Sequence, residues 1–410
     1  MDWAALSAMI AATFGQLPAD PVFWLVVVLV AFLYRRVEGL RRSMFGLPRS
    51  RAFLAETVKA TLWGLGGGLL GSLVMVGCGV TLPVSALLYL WPLAIALMLI
   101  NARFLCFAYA GGLVALSNLL FGWPSVDVAQ LMALVAVLHL VESVLILVSG
   151  HRAAVPAYVG TPGGGVVGGF ILQKFWPLPV AALLAVPAAA GGGLAMPGWW
   201  PLLGEGPGHA YALFPVVAGL GYGDLALARP PARKSRQQFA MLFLYSLLLL
   251  ALAVFSRRQP LLLWVAALFS PLGHEGVIYL GRRLEFAGPP LYSLPRHGVR
   301  VLDVWPGSPF WRAGVRAGDI VAEAGGQAVE SRRDLLAAVR RSAPLEVVFF
   351  RGSSFHRGIL IPPPSWPVPG LVTAPEPGDG PTLEPGTGGP AWTRALAGLY
   401  RRLTWRGKGV

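Results

Sequence analysis

Long apolar runs alternate with short basic loops over the first two thirds of the chain. The runs are 21–34, 61–82, 83–100, 104–121, 128–148, 177–194, 212–222, 239–255 and 261–280. A helix needs about 20 apolar residues to cross hydrocarbon. The pattern therefore predicts a polytopic α-helical membrane protein of about eight or nine spans. Runs 21–34 and 212–222 are short, and the second reads as a broken or re-entrant segment. Beyond residue 290 the period changes. Val299 and Val301 alternate as in a strand, Leu335, Leu336 and Val339 share one side of a helix, and two β-rich runs follow at 345–350 and 355–361. The chain divides into a helical bundle at 1–285, an α+β module at 290–362, a Pro/Gly-rich linker at 363–390 expected to be disordered, and a tail at 391–410. In that tail Trp392, Leu396, Leu399, Tyr400 and Leu403 recur at helical spacing opposite Arg394, Arg401 and Arg402, which reads as a basic amphipathic helix.

Composition supports the membrane reading. The chain is 55% hydrophobic and 13% charged, against about 25% charged in soluble domains. Its net charge of +14 is placed by the positive-inside rule rather than by nucleic acid. The loop after the first run holds Arg35, Arg36, Arg41, Arg42, Arg49, Arg51 and Lys59. Alternating sides from there puts Arg103, Arg152, Lys174, the basic cluster at 229–236, Arg282 and Arg283 on the same face, near anionic lipid. Only Arg257 and Arg258 fall opposite. A short outer N-terminus and a cytoplasmic C-terminal module follow. Trp123 and the pair Trp199-Trp200 read as interfacial anchors. The glycine clusters at 66–68, 111–112 and 191–193 read as close helix–helix contacts. The glycines at 163–165 lack the Gly-Lys-Ser/Thr ending of a phosphate loop.

The C-terminal module carries Gly298-Val299, Pro306-Gly307-Ser308-Pro309, Ala313-Gly314, Gly318-Asp319-Ile320, a helix opened by Ser331 and Asp334, and the hinge Arg351-Gly352. In residues and spacing this resembles a PDZ domain of the bacterial type. A PDZ domain implies a groove that accepts an extended peptide by strand addition. Arg296, His297, Gly298, Val299, Arg300 and Val301 would form its strand side, and Leu335, Leu336 and Val339 its helix side. The basic Arg296-His297 leaves open whether the ligand is a C-terminus or an internal segment.

Three arrangements invite a catalytic reading and fall short of it. His274-Glu275 begins a zinc-protease motif, but Ile278 stands where the second His is needed, and no neighbouring cysteine or carboxylate cluster in the sequence replaces it. Gly221-Tyr222-Gly223-Asp224 matches an intramembrane aspartyl protease, yet a second membrane acid is missing, and a turn before the basic loop explains it better. His139 and Glu142 lie one turn apart inside a run, as a polar pocket, a packing pair or part of an ion path. No cofactor or metal site is expected, and Cys78 and Cys106 suggest neither a disulfide nor a ligand set.

The layout as a whole resembles the MinJ-like cell-division topological determinants of Gram-positive rods. The features are Arg35-Arg36 and Arg41-Arg42 after the first span, Glu142 followed by Ser149-Gly150, Trp199-Trp200-Pro201 before Phe214-Pro215, His274-Glu275 before Gly281-Arg282-Arg283, and one C-terminal PDZ module. The resemblance implies a non-enzymatic adaptor at septum and poles that bridges MinD and DivIVA. A protease or protease regulator that presents substrates through the module, and a transporter built on His139 and Glu142, are the competing readings.

Overall fold

The computed structural model describes residues 3–45, 52–81, 84–161, 165–187, 200, 202–203, 209–341, 344–361 and 370–383. The expected basic helix at 391–410, the glycines at 191–193 and Trp199 lie outside these residues.

The apolar part contains helices α1 (Trp3–Gly15), α2 (Pro21–Phe45), α3 (Ala52–Cys78), α4 (Val84–Ile100), α5 (Phe107–Phe121), α6 (Val128–Leu145, continued by a wide turn Ile146–Gly150), α7 (Pro231–Phe255) and α8 (Leu261–Ala287). Among the described residues four helical stretches are long and apolar enough to cross a membrane: Ala52–Cys78, Val128–Gly150, Pro231–Phe255 and Leu261–Ala287. A fifth candidate is the pair Leu6–Ala19 and Pro21–Gly39, bent by 66°. Helices α4 and α5 are shorter, at 17 and 15 residues, and are joined through the turn Ala102–Leu105.

Two of the expected spans are not helices. Residues 177–187 of one run and all of 212–222 fall on strands β2 (Val166–Pro187) and β3 (His209–Ala226), which pair with each other antiparallel, with β1 (Val155–Gly160) on the far side of β2; 188–194 lie outside the described residues. Hydropathy measures only the removal of side chains from water, so an apolar hairpin enclosed by helices scores like a span. Proline spacing marks the difference. Pro177 and Pro179 are two apart, and in a strand both point their missing N–H to the same edge. That edge faces α2 and α3, because β1 ends opposite Ile171. Between Phe175 and Ala181 its donors can be followed one by one. Phe175 N–H donates to the Tyr34 hydroxyl (3.2 Å), which itself donates to the Phe175 carbonyl (3.1 Å). Pro177 and Pro179 have no donor to satisfy. Ala181 N–H donates to Ser72 Oγ (2.8 Å), and Leu183 bridges Thr81.

The strand lies close to α3 because α3 presents glycine there. A Cβ on Gly64 would stand 1.9 Å from the Pro177 carbonyl oxygen, and one on Gly68 1.8 Å from that of Pro179. The glycine run expected at a helix–helix contact is thus shared. Gly67 and Gly71 meet α6 side chains, while Gly64 and Gly68 seat a strand. Trp200, expected at the surface, is buried and donates to the Val76 carbonyl (2.7 Å).

The C-terminal module contains β4 (Val299–Val304), the short helix α9 (Pro309–Arg312), β5 (Ile320–Ala324), β6 (Gln327–Ala328), α10 (Arg332–Arg341), β7 (Leu345–Arg351), β8 (Ser354–Leu360) and β9 (Leu371–Thr373). Its sheet runs β8-β7-β5-β4-β9, with β6 on β5. The expected cap of α10 is present: Ser331 Oγ donates to Asp334 (2.7 Å), and Asp334 N–H donates back to Ser331 Oγ. Arg351 holds the buried Asp319 through two contacts, at 2.7 and 2.9 Å. The stretch 363–390 is not wholly the structureless linker its composition implied. Residues 370–383 are placed, and three of them form β9.

Gly68→Ala should destabilise the chain at the upper end of the ~1–3 kcal/mol that overpacking costs. Gly66→Ala, on the same helix with open space at its Cβ, should be neutral or slightly stabilising. Thermal unfolding of the purified full-length variants checks the contrast.

Candidate peptide-binding site and the strand that fills it

The residues expected to line the groove divide into three groups. Val299, Val301 and Leu335 are buried with Val321, Phe349 and Leu345 in the module's own core. They hold the fold together and are not open to a ligand. Leu336 and Val339 are half-buried on α10, with Val339 at the rim of that core. Arg296 and His297 are exposed. The Arg300 side chain turns back to donate to the Ser293 carbonyl (2.9 Å).

The expected carboxylate pocket already faces an acid. Gly298 N–H donates to Glu330 (3.3 Å), and His297 lies 3.5 Å from the same carboxylate. Gly298 has φ +81°, and a Cβ there would meet Ile320 and the Val321 carbonyl at 2.7 Å. Glycine is therefore required where the chain enters β4. With Glu330 on that amide, the geometry suits a segment that runs past the pocket better than a free C-terminus.

The edge of β4 that a peptide would use is occupied by β9. Val301 pairs with Thr373, Asp303 with Val372 and Val304 with Leu371, in antiparallel register. Ala374 N–H donates to the Arg300 carbonyl and Trp305 N–H to the Gly370 carbonyl, both at 2.8 Å. Leu371 packs on the module core, Thr373 is buried, and Val372 meets the core of the helical domain. This alternation is what strand addition uses for a peptide in trans. The strand is then fastened to α10. The backbone N–H of Arg332 donates to Glu376, and the Arg332 guanidinium pairs with Asp379.

The same segment ties the module to the helical domain. Tyr158 on β1 donates its hydroxyl to the Thr373 carbonyl (2.9 Å) and receives Arg332 Nη1 (3.3 Å). Its backbone carbonyl accepts from Leu383 N–H (3.0 Å). Burial raises the Tyr158 phenol above its usual range. On the other side of β4, Leu302 is buried against Gly168 and Tyr292. Arg41 at the end of α2 pairs with Asp303 (3.1 Å) and lies over the Trp305 ring, 4.5 Å from its centre. Burial raises the Asp303 carboxyl, and Arg41 opposes that rise.

His139 and Glu142 are both in α6, but they do not act as an isolated pair. His139 contacts Cys106, at the head of α5, and His274, from α8. The expectation that no cysteine stands near His274 is corrected, because helix packing joins residues far apart in sequence. Asp224 sits in β3, not in a turn, and pairs with the fully buried Lys234 (3.1 Å). Glu275 pairs with Arg103 (3.0 Å) and accepts from the Tyr109 hydroxyl (2.7 Å).

The groups that sequence reasoning missed are Tyr158, Glu330, Arg332, Glu376 and Asp379. Two signals were available. Leu371-Val372-Thr373 is a β-prone triplet inside the Pro/Gly-rich stretch, and Glu376 and Asp379 are acids spaced around a Pro-Gly turn.

The sheet, the capped helix and the glycine-gated entry to β4 define a PDZ-type module, and residues 300–349 match the PDZ domain family. The likeness extends to the helical part. Over an alignment spanning 360 positions, which covers 81% of the chain and 86% of the relative, the chain is 24% identical to the cell division topological determinant MinJ of Bacillus subtilis (strain 168). The chain is thus MinJ-like, with a C-terminal PDZ domain.

Arg332→Ala should release β9. The lost contacts are partly exposed and worth about 1–2 kcal/mol together, so amide exchange over 370–383 should quicken by roughly tenfold. Exchange in β5 and β7 should stay as it was. Hydrogen exchange read by mass spectrometry checks both.

Proposed function

We propose that this chain is a non-enzymatic membrane adaptor. Its apolar helices lie in the cell membrane, and its PDZ domain, on the cytoplasmic side, recruits extended segments of division-site proteins. The observation that carries the reading is where the PDZ domain docks. It rests on the end of the helical domain that holds Arg41, Arg229, Arg282 and Arg283, through Arg41–Asp303 and the Tyr158 contacts. A basic end is the cytoplasmic end by the positive-inside rule. With β2 and β3 removed from the span count, α3, α6, α7 and α8 still leave that end on one side.

Similarity to a cell division topological determinant supports a role in septum placement, with enrichment at septum and poles. Partners of the MinD and DivIVA kind are those the resemblance suggests. Holding the module at the membrane restricts its search to a surface and raises its effective concentration toward other membrane-bound proteins. A partner segment binds by displacing β9 from β4, so affinity is the difference between two strand pairings. Leu336 and Val339 on α10 then receive its side chains.

A fluorescent fusion of the full chain should collect at septum and poles; an even membrane stain would sink the reading. Leu336→Asp should abolish partner capture while the helical domain stays folded, and Arg332→Ala should increase capture several-fold. Equal capture by both folded variants would show that the groove is not the recruiting surface.

A further inference from the structure

Three potential metal ligands meet half-way along the helical domain. Cys106 caps the first turn of α5, its sulfur accepting from Ala108 N–H at 3.4 Å. His139 is the middle residue of Val128–Gly150, about 17 Å from either end, and is 2% exposed. His274 follows Pro271 in α8. Cys106 Sγ lies 2.9 Å from His139 Nε2 and 3.7 Å from His274 Nε2. The ligand atoms of all three residues fall within 4.8 Å of one another.

The nitrogens are set up to coordinate. His139 Nδ1 lies 2.7 Å from the Val135 carbonyl. A carbonyl only accepts, so that nitrogen carries the hydrogen and Nε2 turns its lone pair toward Cys106. This is the outer contact by which proteins orient a ligating imidazole. His274 also directs Nε2 at the sulfur, while its Nδ1 is shielded from solvent with no hydrogen-bond partner among the described residues. Tetrahedral bonds of about 2.3 Å to sulfur and 2.0–2.1 Å to nitrogen put these atoms about 3.5 Å apart. The two observed separations bracket that value. Cys106 and His274 are half-buried around the buried His139, and Tyr109 and Tyr245 pack edge-on against His274, Tyr245 also against His139.

We propose that Cys106, His139 and His274 bind one transition-metal ion, with zinc the best match. A thiolate with two imidazoles suits zinc or another ion of similar softness, and three protein ligands leave a fourth position open. The ion pins the turn between α4 and α5 to α6 and α8. That turn needs an anchor, because α4 and α5 are too short to reach the basic end and their junction stops at the level of His139. Arg103, beside the junction, is held by Glu275 of α8, so the ion and this pair would fix the turn from two sides. The site is independent of the PDZ reading and needs no catalytic role.

Full-length protein in detergent, stripped with a chelator, is titrated with Zn(II) and, separately, with Co(II) as a spectroscopic probe. The expected result is one ion per chain, with a thiolate-to-cobalt charge-transfer band and the visible bands of a tetrahedral site. Cys106→Ser should remove the charge-transfer band. His274→Ala should weaken zinc binding by more than the roughly 10–100-fold that losing an outer contact costs. Cys78→Ser should change neither. Thermal unfolding of the wild-type chain should shift upward with zinc. The proposal is overturned if the folded wild-type chain takes up no ion, leaving a hydrogen-bonded triad only. It is equally overturned if the cobalt complex lacks the thiolate band, or if uptake persists unchanged in folded Cys106→Ser and His274→Ala.

Discussion

A backbone N–H taken out of water has to find an acceptor, and the leftover edges of two sheets set the layout of this chain. The first is the edge of β2 enclosed by apolar helices. The second is the edge of β4 in the PDZ domain. An unpartnered donor at either place costs on the order of 1–3 kcal/mol, and in hydrocarbon the penalty is greater still. The chain meets the requirement in different ways. On β2 it deletes two donors with proline and meets two more with hydroxyls from Tyr34 and Ser72. On β4 it lays down another strand of its own.

These two solutions have opposite consequences. Proline and glycine on β2 and α3 make a contact that only this pair of surfaces can form, because Gly64 and Gly68 leave no room for a Cβ. Such a contact is permanent. The pairing of β9 with β4 is generic, since main-chain hydrogen bonds are available to any extended segment. Its particularity comes from Leu371 and Thr373 facing inward, and from Glu376 and Asp379 on Arg332. The first edge builds the scaffold, and the second is the one that the proposed function asks to exchange.

Much of this was legible in the amino-acid sequence, for reasons that can be named. The module declared itself because its turns need particular residues at fixed distances: Gly298 at a positive φ, Ser308 capping α9, Asp319 held by Arg351. The α10 cap was readable because Ser331 and Asp334 act locally. What was misread depended on tertiary context. Hydropathy cannot separate an enclosed hairpin from a helix, so β2 and β3 passed as spans despite Pro177 and Pro179. Val299, Val301 and Leu335 alternate toward a core as they would toward a groove, and only packing distinguishes the two. Cys106, His139 and His274 come from three helices, and no spacing rule brings them together. The composition of 363–390 hid a three-residue strand, because Pro and Gly dominate its average.

One phenol has a wider reach than its size suggests. Tyr158 contacts β9 through its hydroxyl, α10 through Arg332, and residues 382 and 383 through its main chain. Any guest that evicts β9 therefore also strips the PDZ domain of one of its moorings. On the proposed exchange, a module without β9 would keep Arg41 on Asp303 and Leu302 against Gly168, and would lose the Tyr158 tether.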